Sequence, residues 1–349
     1  MIYLSDYDPD IVSNPNNNIF GLPTNEKDAR LIIVPVPWEV TVSYGAGTSR
    51  AADAVLKASF QVDLFDPEMP DAWKEGFFMR ESDKKILMKS DYLRKEAELY
   101  IDYISKGEEV AANQFMGKTL KEVNEGGHFL NNWVYEQTKA LLDKDKLVGL
   151  LGGDHSSSLG YIKAIAEKQG DFGILQIDAH CDLRDEYEGF NYSHAGIMFN
   201  ALKEIPQLHR LVQVGVRDYS KSEDEYIKNS NSRVQTFFDK DIKKRQYEGQ
   251  TWKQIAEEIV NNLPQKVFIS FDIDGLDPKL CPNTGTPVQG GFETDQVFYL
   301  FSKLLHSGRS ILGFDLTEIG VGESDWDANV GARVLFKLCN LLVTSNPGA

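Results

Sequence analysis

Six short apolar runs punctuate the chain: LIIVPVP (31–37), LVGLLG (147–152), GILQID (173–178), LVQVGV (211–216), VFISFD (267–272) and ILGFDL (311–316). They are close to continuous rather than alternating, which is the pattern of strands buried on both faces of a parallel sheet. Between them, SLGYIKAIAEK (158–168), TWKQIAEEIVNNL (251–263) and TDQVFYLFSKLLHSG (294–308) repeat apolar residues at helical spacing, with Thr294 the expected N-cap of the last. Strands alternating with helices predict an α/β fold: three α-β-α layers around a central, mostly parallel β-sheet. No Pro-, Gly- or Ser-rich linker and no internal repeat interrupts the 349 residues, so one domain over 1–349 is expected. The stretch around 65–127 is less regular and carries polar helical material such as KSDYLRKEAELYIDYISKGEEV, which reads as an insertion or an oligomer contact.

Ionisable residues stand where these runs end. GGDHS, after the second run, supplies Asp154 and His155; QIDAHCDLRDEY supplies Asp178, His180, Asp182 and Asp185; SFDIDGLDP supplies Asp272, Asp274 and Asp277; Glu318 follows the last run. Ligands of open α/β sheets bind beyond the carboxyl ends of the strands, and parallel topology gathers those ends on one edge. Residues two apart in extended chain face the same side, so Asp178, His180 and Asp182 can converge, as can Asp272 and Asp274. Each motif alone has an ordinary reading, GGDHS as a helix cap, DAHCD as a solvated loop and DIDGLDP as a turn or calcium-type loop. Together they put four carboxylates and two imidazoles in one place, and only Arg184 is near enough in sequence to offset them. Removing several carboxylates from water costs several kcal/mol each unless they are paired or bind metal. Four Asp with two His suit two divalent ions with bridging carboxylates; oxygen-rich ligation with imidazole favours Mn²⁺, with Fe, Co, Ni or Zn open.

Composition narrows the classes. A net charge of −16 repels phosphate backbones and suits a small cationic ligand, so nucleic acid is not an expected partner. No run approaches the roughly 18 apolar residues of a membrane span, and the opening MIYLSDYDPD lacks the basic and apolar regions of a secretory signal. Three cysteines without paired spacing, Cys181, Cys281 and Cys339, read as free thiols of a cytoplasmic protein, with Cys181 a packing residue.

GGDHS, DAHCD and SFDIDGLDP resemble the three signature motifs of the ureohydrolases: arginase, agmatinase, formimidoylglutamase and their relatives. The likeness extends to VPWEVTVSYGAGTSRAADAVLKAS (35–58), similar to that family's substrate-entrance segment, and to PNTGTPVQGG (282–291). It implies an arginase-like fold and two Mn²⁺ per subunit, one held by His155, Asp178, Asp182 and Asp272, the other by Asp178, His180, Asp272 and Asp274. It further implies a hydroxide between the ions that attacks a guanidinium carbon to release urea, with Asp182 passing the proton to the departing amine. Glu318, in FDLTEIG, matches the glutamate that pairs with the guanidinium, and His194, in YSHAG, matches a proton-shuttling histidine. Ala195 departs from the glycine many members carry there. The loop LRDEYEGFNYSH and the stretch GVRDYSKSE lack the donors and the two-aspartate spacing that arginases use for an amino-acid end, so the resemblance is closest to agmatinase: agmatine plus water giving putrescine and urea, a step of polyamine biosynthesis. Arginine, 4-guanidinobutyrate, free guanidine and formimidoylglutamate are the alternatives, with a metal-dependent deacylase or a metal-binding pseudoenzyme as readings from other classes. Relatives form trimers and hexamers, so a homo-oligomer is implied.

Overall fold

The computed structural model describes residue 4, residues 7–10 and residues 12–347. Residues 1–3, 5 and 6 of the MIYLSDYDPD opening lie outside the described residues. Eight strands form one sheet: β1 (Leu31–Val36), β2 (Phe77–Met79), β3 (Leu147–Gly152), β4 (Phe172–Ile177), β5 (Leu208–Val214), β6 (Val234–Phe237), β7 (Lys266–Asp272) and β8 (Ser310–Thr317). Their order is β2-β1-β3-β8-β7-β4-β5-β6, and every neighbouring pair is parallel. The six apolar runs became six of these strands. The other two, β2 and β6, are the outermost, at three and four residues too short to leave a periodic signal.

Among the described residues ten α-helices accompany the sheet: α1 (Ala51–Ser59), α2 (Lys84–Ser105), α3 (Gln114–Leu142), α4 (Leu159–Gln169), α5 (Ile197–Glu204), α6 (Lys221–Asn229), α7 (Asp239–Tyr247), α8 (Trp252–Asn261), α9 (Thr294–His306) and α10 (Trp326–Ser345). Side chains alternate across each strand. Ile33, Leu151, Leu175 and Ile269 therefore join Val55 of α1, Ile259 of α8, Leu304 of α9 and Leu335 of α10 in one core. Ile32, Val34, Leu150 and Ile174 join Leu93 of α2, Val134 of α3, Ile162 of α4 and Met198 of α5 in the other. Two buried faces explain why the runs are apolar throughout, each such side chain contributing about 1.5–3 kcal/mol. The 65–127 stretch supplies β2, α2 and the first half of α3, and buries Leu93, Ala97, Tyr100 and Val123 in the second core.

Helix starts follow their caps. Asp83 accepts from the backbone N–H groups of Lys85 (2.8 Å) and Ile86 (3.3 Å), and Asn113 does the same at the head of α3. The expected cap of α9 is displaced by one residue. Thr294 is already helical, and extended Glu293 precedes it, its backbone N–H donating to Gln296 Oε1 at 3.0 Å. The Glu293/Gln296 pair satisfies the helix end that the threonine hydroxyl was expected to serve.

Helices α3 and α4 meet backbone to backbone at Gly160, where an added Cβ would lie 2.2 Å from the carbonyl oxygen of Asn131. Gly160→Ala is expected to destabilise the protein by about 1–3 kcal/mol through overpacking, against alanine's helix-propensity gain of about 1 kcal/mol. A lower denaturant midpoint at unchanged m-value is the readout; an unchanged midpoint would show that the helices separate freely.

Candidate metal centre

Strands β3, β8, β7 and β4 are contiguous at the middle of the sheet, so their carboxyl ends open onto one spot. After β3 the chain turns against the segment that continues β1: Gly153 donates to Val36 O (2.9 Å) and Asp154 to Trp38 O (2.8 Å). Only glycine fits at 153, since a Cβ there would stand 1.8 Å from the Trp38 oxygen. Asp154 caps the short 3-10 turn His155–Ser158, accepting from Ser156 N–H at 3.0 Å, which leaves the His155 ring to face the cluster. Asp178 directly follows β4 and accepts from His180 N–H (2.6 Å); Asp272 ends β7 and accepts from Asp274 N–H (2.9 Å). Asp274 Oδ1 in turn accepts from Ala179 N–H at 3.0 Å, tying the two acidic segments together.

The six residues expected from sequence converge. His155 Nδ1 lies 2.9 Å from Asp182 Oδ2, 3.2 Å from Asp178 Oδ2 and 3.4 Å from Asp272 Oδ2. His180 Nδ1 lies 3.1 Å from Asp274 Oδ2 and 3.5 Å from Asp178 Oδ1. Two groups have ligand atoms close enough to hold a metal ion, His155/Asp178/Asp182 and Asp178/His180/Asp274, with Asp178 common to both; Asp272, expected in both, falls in neither, its Oδ2 standing 3.4 Å from His155 Nδ1. The donor set fits divalent ions. His155 Nδ1 is buried and makes no aligned hydrogen bond among the described residues, although three carboxylate oxygens surround it. That is the arrangement of a lone pair and anions facing one shared point.

Proton affinities carry the same strain. Burial works against charge on both histidines, but the carboxylates of Asp178, Asp182 and Asp272 around His155, and of Asp274 and Asp178 around His180, hold both pKa values well above the usual imidazole range. Burial, then the Asp178 charge, pushes Asp182 up to about 7. Burial with the Asp274 and Asp178 charges raises Asp272, and burial with the Asp154 charge raises Glu318. Burial opposes ionisation of Asp178 too, yet His155 and His180 bring its carboxyl below the usual range. The backbone is strained at the same place: Asp182 (φ 54°) and Glu318 (φ 61°) adopt left-handed conformations rare for residues other than glycine.

Glu318 Oε1 accepts from His155 N–H at 2.9 Å, while Oε2 is buried with no partner among the described residues. Glu318 lines a cleft of about 430 Å³ together with His155, His180, Asp182, Asp272 and His194. His194 is anchored from behind: Thr41 Oγ1 accepts from its backbone N–H (3.2 Å) and lies 3.3 Å from its Nδ1. Burial first, then the positive charges of His180, His155, Arg94 and Arg184, depress the His194 pKa. The Tyr187 ring stands edge-on to His194 with centroids 5.9 Å apart, and the Arg184 guanidinium lies 4.7 Å from the Tyr187 centroid and 3.8 Å from Glu223. Cys181 is buried and free, and burial holds its thiol far above the usual range, so it packs in the second core.

Several supporting residues escaped the sequence reading. His155 Nε2 is 2.8 Å from Ser270 Oγ, which lies 3.0 Å from both oxygens of Asp315; this relay leaves Nδ1 as the ring's free lone pair. Gln176 Nε2 donates to Asp178 Oδ2 at 2.8 Å. Arg217 gathers carbonyls of the 274–276 turn and of Val288, closing the loop beside Asp274. The available signal was a polar residue inside four of the six apolar runs: Gln176, Gln213, Ser270 and Asp315 interrupt strands otherwise built for a dry interior.

An all-parallel α/β sheet with a buried His/Asp cluster at its carboxyl edge puts donors suited to a divalent ion where ligands of such sheets bind, the setting of an α/β enzyme. A family model described as the arginase family matches residues 29–339. The N(1)-aminopropylagmatine ureohydrolase of Synechocystis sp. is 26% identical over 304 residues, covering 85% of this chain and 83% of its own. The N(1)-aminopropylagmatine ureohydrolase of Thermus thermophilus is 28% identical over 298 residues, covering 85% and 84%. The crystal structure of agmatine ureohydrolase of Thermoplasma volcanium superposes with a TM-score of 0.67 at 20% identity, over 92% of each chain. The chain belongs to the arginase family, whose members are hydrolases of amidine carbon–nitrogen bonds. The deacylase alternative falls away with that assignment. Among the described residues no helix is long and apolar enough to cross a membrane.

Metal uptake should depend steeply on pH. In the metal-free cluster Asp182, with its pKa near 7, the raised Asp272 and the raised rings of His155 and His180 bind protons that an entering cation must displace. Falling pH favours the protons, so affinity should drop by about tenfold or more per unit between pH 8 and 6, with net proton release on binding. Metal titration calorimetry in buffers of different ionisation enthalpy reads both; an affinity flat over that range would contradict the assigned shifts.

Proposed function

We propose that this chain hydrolyses a linear, cationic guanidino amine of the agmatine type, releasing urea. The observation that carries the reading is Glu318 Oε2, a buried carboxylate oxygen without a partner among the described residues, on a side chain that lines the same cleft as the His/Asp cluster. A guanidinium offers the paired N–H donors such a carboxylate takes.

His155, Asp178, Asp182 and Asp272 would hold one ion and Asp178, His180, Asp272 and Asp274 the other, with Mn²⁺ favoured by the oxygen-rich set. Bound divalent ions supply the neutralising charge and make water a nucleophile near neutral pH. Glu318 orients the guanidinium. Asp182, whose second carboxylate oxygen is free of the ion, can accept a proton and give it to the departing amine nitrogen. His194 lines the mouth with its Nδ1 beside Thr41 and matches a proton-shuttling histidine by resemblance. Its depressed pKa keeps the ring neutral there, and bound substrate or ions must change its surroundings before it can carry a proton. Guanidinium and water become urea and the amine.

The mouth favours an amine tail over a carboxylate. Asp218 lines it, whereas its one lining arginine, Arg184, lies over the Tyr187 ring and 3.8 Å from Glu223, which offsets its charge. Agmatine and its N1-aminopropyl derivative both satisfy this, and the names of the Synechocystis and Thermus relatives favour adding the second to the first. A cytoplasmic homo-oligomer, trimer or hexamer, goes with the reading by resemblance.

With Mn²⁺ supplied, urea should be released from agmatine and N1-aminopropylagmatine faster than from arginine, 4-guanidinobutyrate or free guanidine. No urea from any of the five would overturn the reading. Asp274→Ala should lower bound metal from two ions per subunit to one and cut kcat by at least about 10²-fold, the scale of losing one transition-state stabilising group, with the circular dichroism of the fold kept. Full turnover in that variant would remove the two-ion arrangement.

A further inference from the structure

A row of polar side chains crosses the buried middle of the sheet. Thr236 of β6, Gln213 of β5, Gln176 of β4, Ser270 of β7 and Asp315 of β8 are successive register partners on neighbouring strands. All five are buried, Gln213, Gln176, Ser270 and Asp315 completely. The row lies two residues before Asp178 and Asp272, directly beneath the cluster. Its Ser270–Asp315 half serves His155; its glutamine half ends on the other acidic segment.

Hydrogen-bond direction in that half follows from its end. Ionised Asp178 only accepts, so the Gln176 amide must turn its NH2 toward Asp178 Oδ2 (2.8 Å) and its oxygen toward β5. That oxygen accepts from Gln213 Nε2 at 2.7 Å. The same NH2 group donates its second hydrogen to the carbonyl oxygen of Cys181 at 2.6 Å, and Gln213 Oε1 accepts from Thr236 Oγ1 at 2.8 Å. Gln213 thus touches none of the candidate metal ligands yet grips their segment twice, through Gln176 at Asp178 and directly at the peptide just before Asp182. The left-handed backbone of Asp182 needs such a hold, because a strained residue persists only where its surroundings over-determine it.

We propose that Gln213 is a positioning residue that sets the spacing of Asp178 and Asp182, and through it the affinity of the metal centre. This rests on the ligand assignment of the preceding section. The substitution Gln213→Leu keeps the volume and removes all three hydrogen bonds. Partners of this kind change metal affinity by roughly 10- to 100-fold when lost. Mn²⁺ binding to the metal-stripped full-length protein, followed by direct titration, should weaken by at least about tenfold in Gln213→Leu. Leu304→Ala, which opens a cavity beneath α9 in the first core, should stay within about twofold of wild type, which separates positioning from general loosening. Should Gln213→Leu fail to fold, Thr236→Val tests the same chain from its far end on an edge strand, with an expected loss of about threefold because one link weakens while the others remain. Unchanged Mn²⁺ affinity in folded Gln213→Leu overturns the proposal, as does unchanged affinity in Thr236→Val where that variant stands in. Wild-type protein that takes up no Mn²⁺ overturns the ligand assignment itself, a result distinct from equal binding by wild type and variant.

Discussion

The protein is organised around the mutual repulsion of carboxylates held away from water. Asp178, Asp182, Asp272 and Asp274 are all nearly buried at the ends of two neighbouring strands, with Asp154 and Glu318 close by. In the absence of added cations, the positive charge inside the cluster comes from His155 and His180, whose pKa values rise to meet the carboxylates while Asp182 and Asp272 rise in compensation. Neither adjustment is comfortable: Asp182 and Asp272 are pushed toward the neutral form, and His155 Nδ1 crowds three carboxylate oxygens without an aligned hydrogen bond. Divalent ions resolve the conflict by bringing more charge than two imidazolium groups can. The topology follows from the same constraint, since only contiguous parallel strands such as β3, β8, β7 and β4 bring four carboxyl ends within reach of one another.

This is why the centre was more legible in the sequence than its supports. Asp178, His180 and Asp182 announce themselves because ligand-type side chains at every second position after an apolar run recur in the Asp272/Asp274 pair, and the two sets together lose the ordinary reading that each has alone. The central strands were equally readable, their continuous apolar character being a direct consequence of two covered faces. Strands β2 and β6 were not, because three or four residues at a sheet edge carry no periodicity. Glu293 in place of Thr294 at the cap position of α9 marks another limit: a threonine at a helix start can precede the first turn or belong to it, and the backbone chooses. Ser270, Gln176 and Gln213 were visible as interruptions of apolar runs, but their partners lie on other strands, and register is a property of the assembled sheet.

Substrate choice lies on a different level from metal chemistry. The cluster is held by strand ends and by side chains locked in the sheet, whereas Thr41, Arg184, Tyr187 and His194 belong to the two loops that cover the mouth. Loops tolerate change that strands do not. A family can therefore keep one hydrolytic centre and vary the tail it accepts, as the differing names of relatives at similar identity indicate. Arg184 illustrates the point. In the bare sequence it is a cation fit for a carboxylate substrate; folded, it lies over the Tyr187 ring with its charge offset by Glu223, and Asp218 leaves the mouth with net acidic character.

Burying a glutamine pair in central strands runs against the rule that filled the rest of the sheet with Val, Ile, Leu and Phe. An unsatisfied amide there would cost about 1–3 kcal/mol, and apolar replacements would pack without that risk. The arrangement is stable because the chain of donors is complete, from the Thr236 hydroxyl to the Asp178 carboxylate, and because one end is an anion that fixes the direction of every link. An apolar row could hold the strands together equally well, but it could not fix the angle of a carboxylate or restrain the carbonyl beside a left-handed aspartate. The polar row is thus where the demand for a packed sheet and the demand for oriented charge meet, and the sheet gives way to the charge.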